Sequence, residues 1–365
     1  MTLQILNKII KKNNSKIDLK IGETLYYLTL RRKTATDGSC PVTEGTRKAM
    51  ATAINYYGRR LQAYRASLHT HSTTSDGQFT PAELIQLYAD EGYDILAFTD
   101  HSRANPVSTY DSRGMTLISG MELHPNGPRG ERWHLLALGL PEDFSAPDAD
   151  ENATAQTCID AARAAGGIVF CAHPSFCGFR SSDIAPLRGL DGLEVFNSST
   201  RYAGKGFNMQ CWDELLDDGH WMRALAVDDM HQRSDLFCGW TVVLTDEPLS
   251  PTSVMNALRR GDFYATQGPQ LLSVSLDEGV LEAEFTPCTE VIGVSWKWRG
   301  YPAVCDNFTG PGDGQREITS CRLKLKSDIK ECWLRLQLKD RHGRYAWCNP
   351  VHFNQSKNPS HEDIS

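Results

Sequence analysis

From Tyr64 onward, short apolar runs alternate with stretches of helical spacing. The runs are YRASLH, DILAFTD, TLISGMEL, WHLLALG, GIVFCAH, GLEVFN and RALAVDD, each of strand length. Between them lie candidate helices. TPAELIQLYADEGY has Thr80 placed to cap and Pro81 in the first turn. NATAQTCIDAARAAGG ends on glycines that suit a helix stop, and MQCWDELLDDGH stops at Gly219. PTSVMNALRRGDF, over 251–263, is one more. This alternation predicts βα units and an α/β fold over residues 61–268. Beyond the last helix the period changes. CRLKLKSD and CWLRLQLKD alternate apolar and polar positions, as half-buried antiparallel strands do. Residues 269–355 therefore read as a small, sandwich-like antiparallel β domain, followed by a polar tail at 356–365. Residues 1–60 read as an N-terminal leader or extension, with a short helix expected in RKAMATAINYYGRRL.

Composition narrows the class. The chain has 365 residues, of which 40% are hydrophobic and 23% charged, the balance of a globular protein. A net charge of -7 gives no support for general nucleic-acid binding, which needs a basic face. No segment approaches the apolar length of a membrane span. The 11 cysteines are scattered without a C-x-x-C pair, which removes the zinc-ribbon and thioredoxin readings. With no signal-peptide pattern at the N-terminus, reduced thiols and a cytoplasmic location are the expectation.

The candidate chemistry sits at strand ends. His69 and His71 end the first run, Asp100 and His101 the second, and Glu122 the third. His134 begins the fourth, the one exception. His173 ends the fifth, Asn197 the sixth, and Asp229 with His231 the seventh. In barrels of parallel strands, chemistry gathers at the carboxyl ends. Alternate strand residues project to one side, so both imidazoles of H-x-H can reach one ion. Imidazole and carboxylate suit Zn, Fe and Mn, and no cysteine falls among the candidates. A lone histidine in a strand is usually structural, but six at these positions with three acids are poorly explained that way. His124, His220, His342, His352 and His361 are assigned structural roles by default. His124 is the most doubtful of these, because it lies two residues beyond Glu122.

The stretches HTHSTTSDG, FTDHS, GMELH, AHPSF and VDDMH resemble, in order, the motifs of the PHP (polymerase and histidinol phosphatase) superfamily, over about residues 64–268. MNALRRGDFYATQGPQL looks like the segment that joins barrel to β domain in its carbaryl-hydrolase-like (CehA/McbA-type) branch. The resemblance implies a distorted (β/α)7 barrel holding two or three divalent ions, Mn2+, Zn2+ or Fe2+. His69, His71, Glu122 and Asp229 would hold the first. Glu122 would bridge to a second, with His134 and His173. Asp76, His101 and His231 would hold a third, and Asp76 stands where other branches use a histidine. VDDMH offers two acids. The D-x-H spacing selects Asp229, with Asp228 as the fallback. Asp100 is expected to orient His101 or to hold the strand-end turn.

The resemblance also implies hydrolysis, with a hydroxide bridging two ions as nucleophile. Glu122, Asp229 and His134 carry the catalytic assignment. The first expectation is a phosphoesterase acting on a small phosphate ester. A carbamate, carboxylic ester or amide hydrolase is the alternative, and an inactive metal- or ligand-binding module is the third. The module is disfavoured because all nine ligand positions are filled. The FTDH stretch decides against the wider amidohydrolase barrels. Arg103, Arg180 and Arg201 follow ligand motifs and are expected to bind an anionic small-molecule substrate. A wall of Phe176, Phe179 and Tyr202 would instead favour a neutral ester. The C-terminal domain reads as a packing module or a homo-oligomer contact.

Overall fold

The computed structural model describes residues 53–305, 317–325 and 333–352, together with three strands near the N-terminus. The chain divides into two compact units, Met1–Ser39 and Cys40–Ser365. In the first, β1 (Lys12–Asn13), β2 (Lys16–Ile21) and β3 (Thr24–Thr29) form an antiparallel sheet. The predicted polar tail lies outside the described residues.

The described part of the second unit opens with a hairpin where a helix was expected. Residues 47–52 are outside the described region, but β4 (Ala53–Tyr56) and β5 (Arg59–Ser67) pair antiparallel. Tyr57 and Gly58 join them with φ of 46° and 83°. Two positive φ angles are the requirement of a two-residue hairpin turn whose twist matches its strands. Burial of Ile54, Tyr56 and Leu61 outweighs the local helical spacing.

The seven runs from Tyr64 become strands: β5, β6 (Ile95–Phe98), β7 (Thr116–Leu123), β8 (Leu135–Leu138), β9 (Ile168–Cys171), β10 (Gly192–Asn197) and β11 (Arg223–Val227). Each is hydrogen-bonded to the next in chain order. The last returns to the first through a parallel bridge between Thr70 and Met230, with Asp229 N donating to His69 O and His71 N donating to Met230 O. The sheet is mixed rather than all parallel: β8 runs antiparallel to both β7 and β9.

Helices α1 (Pro81–Asp90), α2 (Ala155–Ala164), α5 (Met209–Asp217) and α6 (Pro251–Arg260) fall where the spacing predicts, with short α3 (Pro174–Cys177) and α4 (Ser181–Ile184) between. Thr80 caps α1 in a reciprocal box with Glu83, satisfying two orphan amides. Leu84, Ile85 and Tyr88 form the buried face of that helix.

Two further strands have no counterpart among the predicted runs. β12 (Trp240–Thr245) pairs antiparallel with β5, and β13 (Phe263–Thr266) pairs with β12. Eight more follow: β14 (Leu271–Asp277), β15 (Val280–Cys288), β16 (Glu290–Ser295), β17 (Gly300–Val304), β18 (Ile318–Lys324), β19 (Trp333–Lys339), β20 (Tyr345–Cys348) and β21 (Val351–His352). Pairing of β13 with β20 and of β4 with β14 makes this C-terminal region continuous, within the second unit, with the strands that precede it. Arg335 of β19, 1% exposed, makes a two-pronged contact with Asp213 of α5 at 2.9 Å on each prong and lies over Trp212. No helix among the described residues is long and apolar enough to cross a membrane.

Candidate metal centre

Antiparallel β8 explains the one histidine that broke the strand-end pattern. Leu135 pairs with both Leu123 and Cys171, so His134, just before β8, lies at the end where β7 and β9 finish. Backbone pairing continues there beyond the strands: Ala172 N donates to His134 O, and His101 bridges to Glu122. Strain marks the same rim. His173 and Asp229 have φ of 25° and 50°, a region that L residues adopt only when surroundings enforce it.

All nine predicted ligands converge. His69, His71, Glu122 and Asp229 are buried and bring one ligand atom each within 4.8 Å of the others. Asp229 Oδ1 lies 3.2 Å from His69 Nε2 and 3.1 Å from His71 Nε2, and Glu122 Oε2 lies 3.3 Å from the latter. On the other side of Glu122, Oε1 lies 2.8 Å from His134 Nδ1 and 3.2 Å from His173 Nε2. A second group joins Asp76, His101 and His231 to His71, with Asp76 Oδ1 3.2 Å from His101 Nε2. Gly77 lets this loop close, because a Cβ there would collide with the His71 carbonyl.

The neighbours of these residues sort their roles. Asp228 accepts from Phe237 N, Cys238 N, Gly239 N and the Tyr88 hydroxyl. It is a structural anchor, and burial pushes its pKa up to about 6 against the pull of those bonds. Asp229, one residue on, faces the histidines. Asp100 does not orient His101. Its carboxylate accepts from Ser72 N and Oγ, Ser75 N and Oγ, and Asn105 Nδ2, so the turn-holding alternative stands.

Burial opposes charge on Glu122 and Asp229. The imidazoles around them win, His134 and His69 foremost for Glu122 and His69 and His71 for Asp229, and hold both carboxyls well below the usual range. Burial likewise lowers His71, but its bonds to Asp229 and Glu122 outweigh that and raise it to about 9. At His134 burial prevails and the pKa falls.

Three contributors were missed in the sequence. Glu194 is fully buried on β10 and accepts from His69 Nδ1 at 2.6 Å, His173 N at 2.9 Å and Asn197 Nδ2 at 2.8 Å. Asn197 Nδ2 also donates to Asp229 Oδ2, giving the predicted polar strand end a bracing role. Cys177 Sγ lies 3.4 Å from His173 Nδ1 and groups with His134 and His173. His124, assigned a structural role by default, groups instead with His101 and Glu122, its Nε2 3.5 Å from Glu122 Oε2. A lone acid in GLEVFN was the signal for Glu194. Nothing in the spacing singled out Cys177.

Of the three arginines, Arg103 and Arg180 are exposed. Arg201 donates to Ser198 O and Ser234 O, so its guanidinium braces the backbone. Phe179 is buried against Trp133, stacked at 3.7 Å, and forms no open wall. Phe176 meets the His173 ring edge-on at 5.5 Å and Tyr202 at 6.2 Å, and Tyr202 is 79% exposed.

The donor set fits divalent cations. Glu122 Oε2, Asp229 Oδ1, His101 Nδ1 and His124 Nε2 are buried without a well-directed hydrogen bond, although each lies within 3.5 Å of another group of the cluster. Orphaned polar atoms of this kind are costly, and four at the meeting point of two carboxylates and a ring of imidazoles are what metal ligation would satisfy.

No family model matches the chain. It is 32% identical over 84 residues to a phosphoribosyl 1,2-cyclic phosphate 1,2-diphosphodiesterase of Eggerthella lenta, covering 22% of this chain and 32% of that protein. It is 35% identical over 77 residues to a 3',5'-nucleoside bisphosphate phosphatase of Chromobacterium violaceum, covering 20% and 27% respectively. The chain thus spans about a third of the length of these curated relatives. Among solved structures, a two-domain Bacteroides vulgatus protein described as containing a PHP-like metal-dependent phosphoesterase aligns at 18% identity and a TM-score of 0.43, covering 77% of this chain and 91% of that one.

Proposed function

We propose that the chain is a PHP-type metal-dependent hydrolase of the carbaryl-hydrolase-like branch, its ring β5–β11 the distorted seven-stranded barrel of that superfamily, acting on a small phosphate ester. The observation that carries the reading is the convergence of nine ligand residues from separate strand ends on two buried carboxylates whose Oε2 and Oδ1 lack a well-directed hydrogen bond. Sequence similarity to two phosphoesterases favours phosphate chemistry. His69, His71, Glu122 and Asp229 would hold one ion, with Glu122 shared toward His134 and His173, and Asp76, His101 and His231 would hold a further one. Divalent cations held there supply Lewis acidity toward a phosphoryl oxygen and lower the pKa of water.

The chain's own groups do the rest. Glu194 keeps a proton on His69 Nδ1 and so leaves Nε2 as the ligating atom. Asn197 fixes the rotation of the Asp229 carboxylate. Arg103 and Arg180, both exposed, would meet an anionic substrate.

One observation favours the second reading, hydrolysis of an aryl carbamate or ester. Phe176 stands beside His173 and Tyr202 beside Phe176, whereas the Arg201 guanidinium is committed to backbone carbonyls. The test compares kcat/KM of Mn-loaded protein for p-nitrophenyl phosphate and 1-naphthyl methylcarbamate, with an EDTA-stripped control. Metal-dependent preference for the phosphate is expected. Preference for the carbamate would transfer the site to the second reading, and metal-independent turnover of both would sink the proposal.

A further inference from the structure

A cavity of about 670 Å³ lies away from the metal cluster, at the opposite ends of β5 and β11. Arg59 begins β5 and Arg223 begins β11, and both line it. Along β11 the spacing from Arg223 to Asp229 at the cluster is six residues, roughly 20 Å of extended chain.

Arg223 is 8% exposed. A buried guanidinium normally has a carboxylate or several carbonyls on its donors. Here, among the described residues, none of its side-chain nitrogens has a hydrogen-bond or ion-pair partner. The two acids that act on it electrostatically, Asp191 and Asp262, are committed elsewhere. Asp262 takes two bonds from Arg59 Nη1 at 3.0 and 2.8 Å and one from Arg260 Nε at 2.7 Å. Asp191 accepts from Val169 N and Arg163 Nη1. Two further lining residues, Tyr57 and Arg260, keep a buried polar atom without a partner, Oη and Nη2. Arg59 and Arg260 are paired with Asp262, Asp246 and Glu247, which leaves Arg223, among the described residues, as the lining's unpaired guanidinium.

We propose that this cavity is a second ligand site, for a small phosphorylated molecule with a planar ring, bound through its phosphate to Arg223. The guanidinium fork matches phosphate oxygens. The volume exceeds what an inorganic anion fills and lies in the range of organic-ligand pockets. The wall beside Arg223 is aromatic: Trp221 and His352 stack at 3.9 Å and 11°, next to Tyr57, which suits a flat ring over an extended aliphatic body.

The test is calorimetric titration of ADP into the EDTA-treated full chain, so that chemistry at the cluster is silent. The wild type should bind one ADP. Glu122→Gln, at the cluster, should bind it equally. Arg223→Gln should bind at least tenfold more weakly. Ser275→Asp, which adds a carboxylate to the lining on β14 and removes no buried ion pair, should weaken binding by a similar factor and keeps the test decisive if Arg223→Gln does not fold. Absence of ADP binding to the wild type, undiminished binding by Ser275→Asp, or loss of binding in Glu122→Gln would each overturn the proposal. None of these outcomes bears on metal-dependent turnover, which is read separately.

Discussion

Glu194→Gln isolates the orienting role of a fully buried carboxylate. The wild-type carboxylate accepts from His69 Nδ1 on Oε1, and from His173 N and Asn197 Nδ2 on Oε2. An amide must turn its NH2 toward one of these sets. Facing His173 N and Asn197 Nδ2, it sets donor against donor twice in a fully buried place. Facing His69, it sets one donor against Nδ1–H, and that clash is relieved only by moving the imidazole proton to Nε2. Nε2 is the atom that points at Asp229 and His71, so the cheaper arrangement would disable the proposed ligand. Loss of an orienting partner of a ligating histidine typically costs about 10- to 100-fold in metal affinity, or about 1.4–2.7 kcal/mol. The assay is a chelator-competition titration of Mn2+, with urea unfolding as the control for global stability. A change in affinity under twofold, in a variant that unfolds normally, would refute the reasoning.

Other predictions follow from neighbouring contacts. His134→Ala should cut kcat/KM at least tenfold more than His124→Ala, because His134 Nδ1 is 2.8 Å from Glu122 Oε1 and His124 Nε2 is 3.5 Å from Oε2; equal losses would place His124 among the ligands. In metal-free protein the pair of carboxylates raises His71 to about 9. This group therefore stabilises the apo fold fully below about pH 6.5 and loses that contribution as pH rises through about 9. The cation must displace its proton, so titrations in buffers of different ionisation enthalpy should show proton release at pH 7; its absence would contradict the assignment. Asp213→Ala leaves Arg335 buried and unpaired and should destabilise the chain by about 3 kcal/mol in urea unfolding, whereas a loss under 1 kcal/mol would show that solvent reaches the guanidinium.

Periodicity made the seven runs and four main helices legible, because apolar spacing directly reports which face a segment buries. The placement of the candidate ligands at strand ends was legible for the same reason. Strand direction was not. No local feature of WHLLALG says that it runs antiparallel, and so His134 looked like an exception when it obeys the rule. The β4–β5 hairpin was hidden because Tyr57 adopts positive φ, which sequence patterns reserve for Gly and Asn. Cys177 reaches the cluster through tertiary placement that spacing does not encode, whereas the two-residue step from Glu122 to His124 already hinted at a shared side. Arg201 shows the converse: its position after a ligand motif was readable, but its commitment to two carbonyls was not.

The central claim is that Glu122 and Asp229 exist to hold divalent ions. Metal content after exhaustive dialysis of Mn-loaded protein, measured beside p-nitrophenyl phosphate turnover, tests it most directly. The account predicts two or three ions per chain in the wild type, and loss of most of them with almost all turnover in Glu122→Gln. A wild type that retains no metal, or a Glu122→Gln variant that keeps full metal content and full activity, would contradict it.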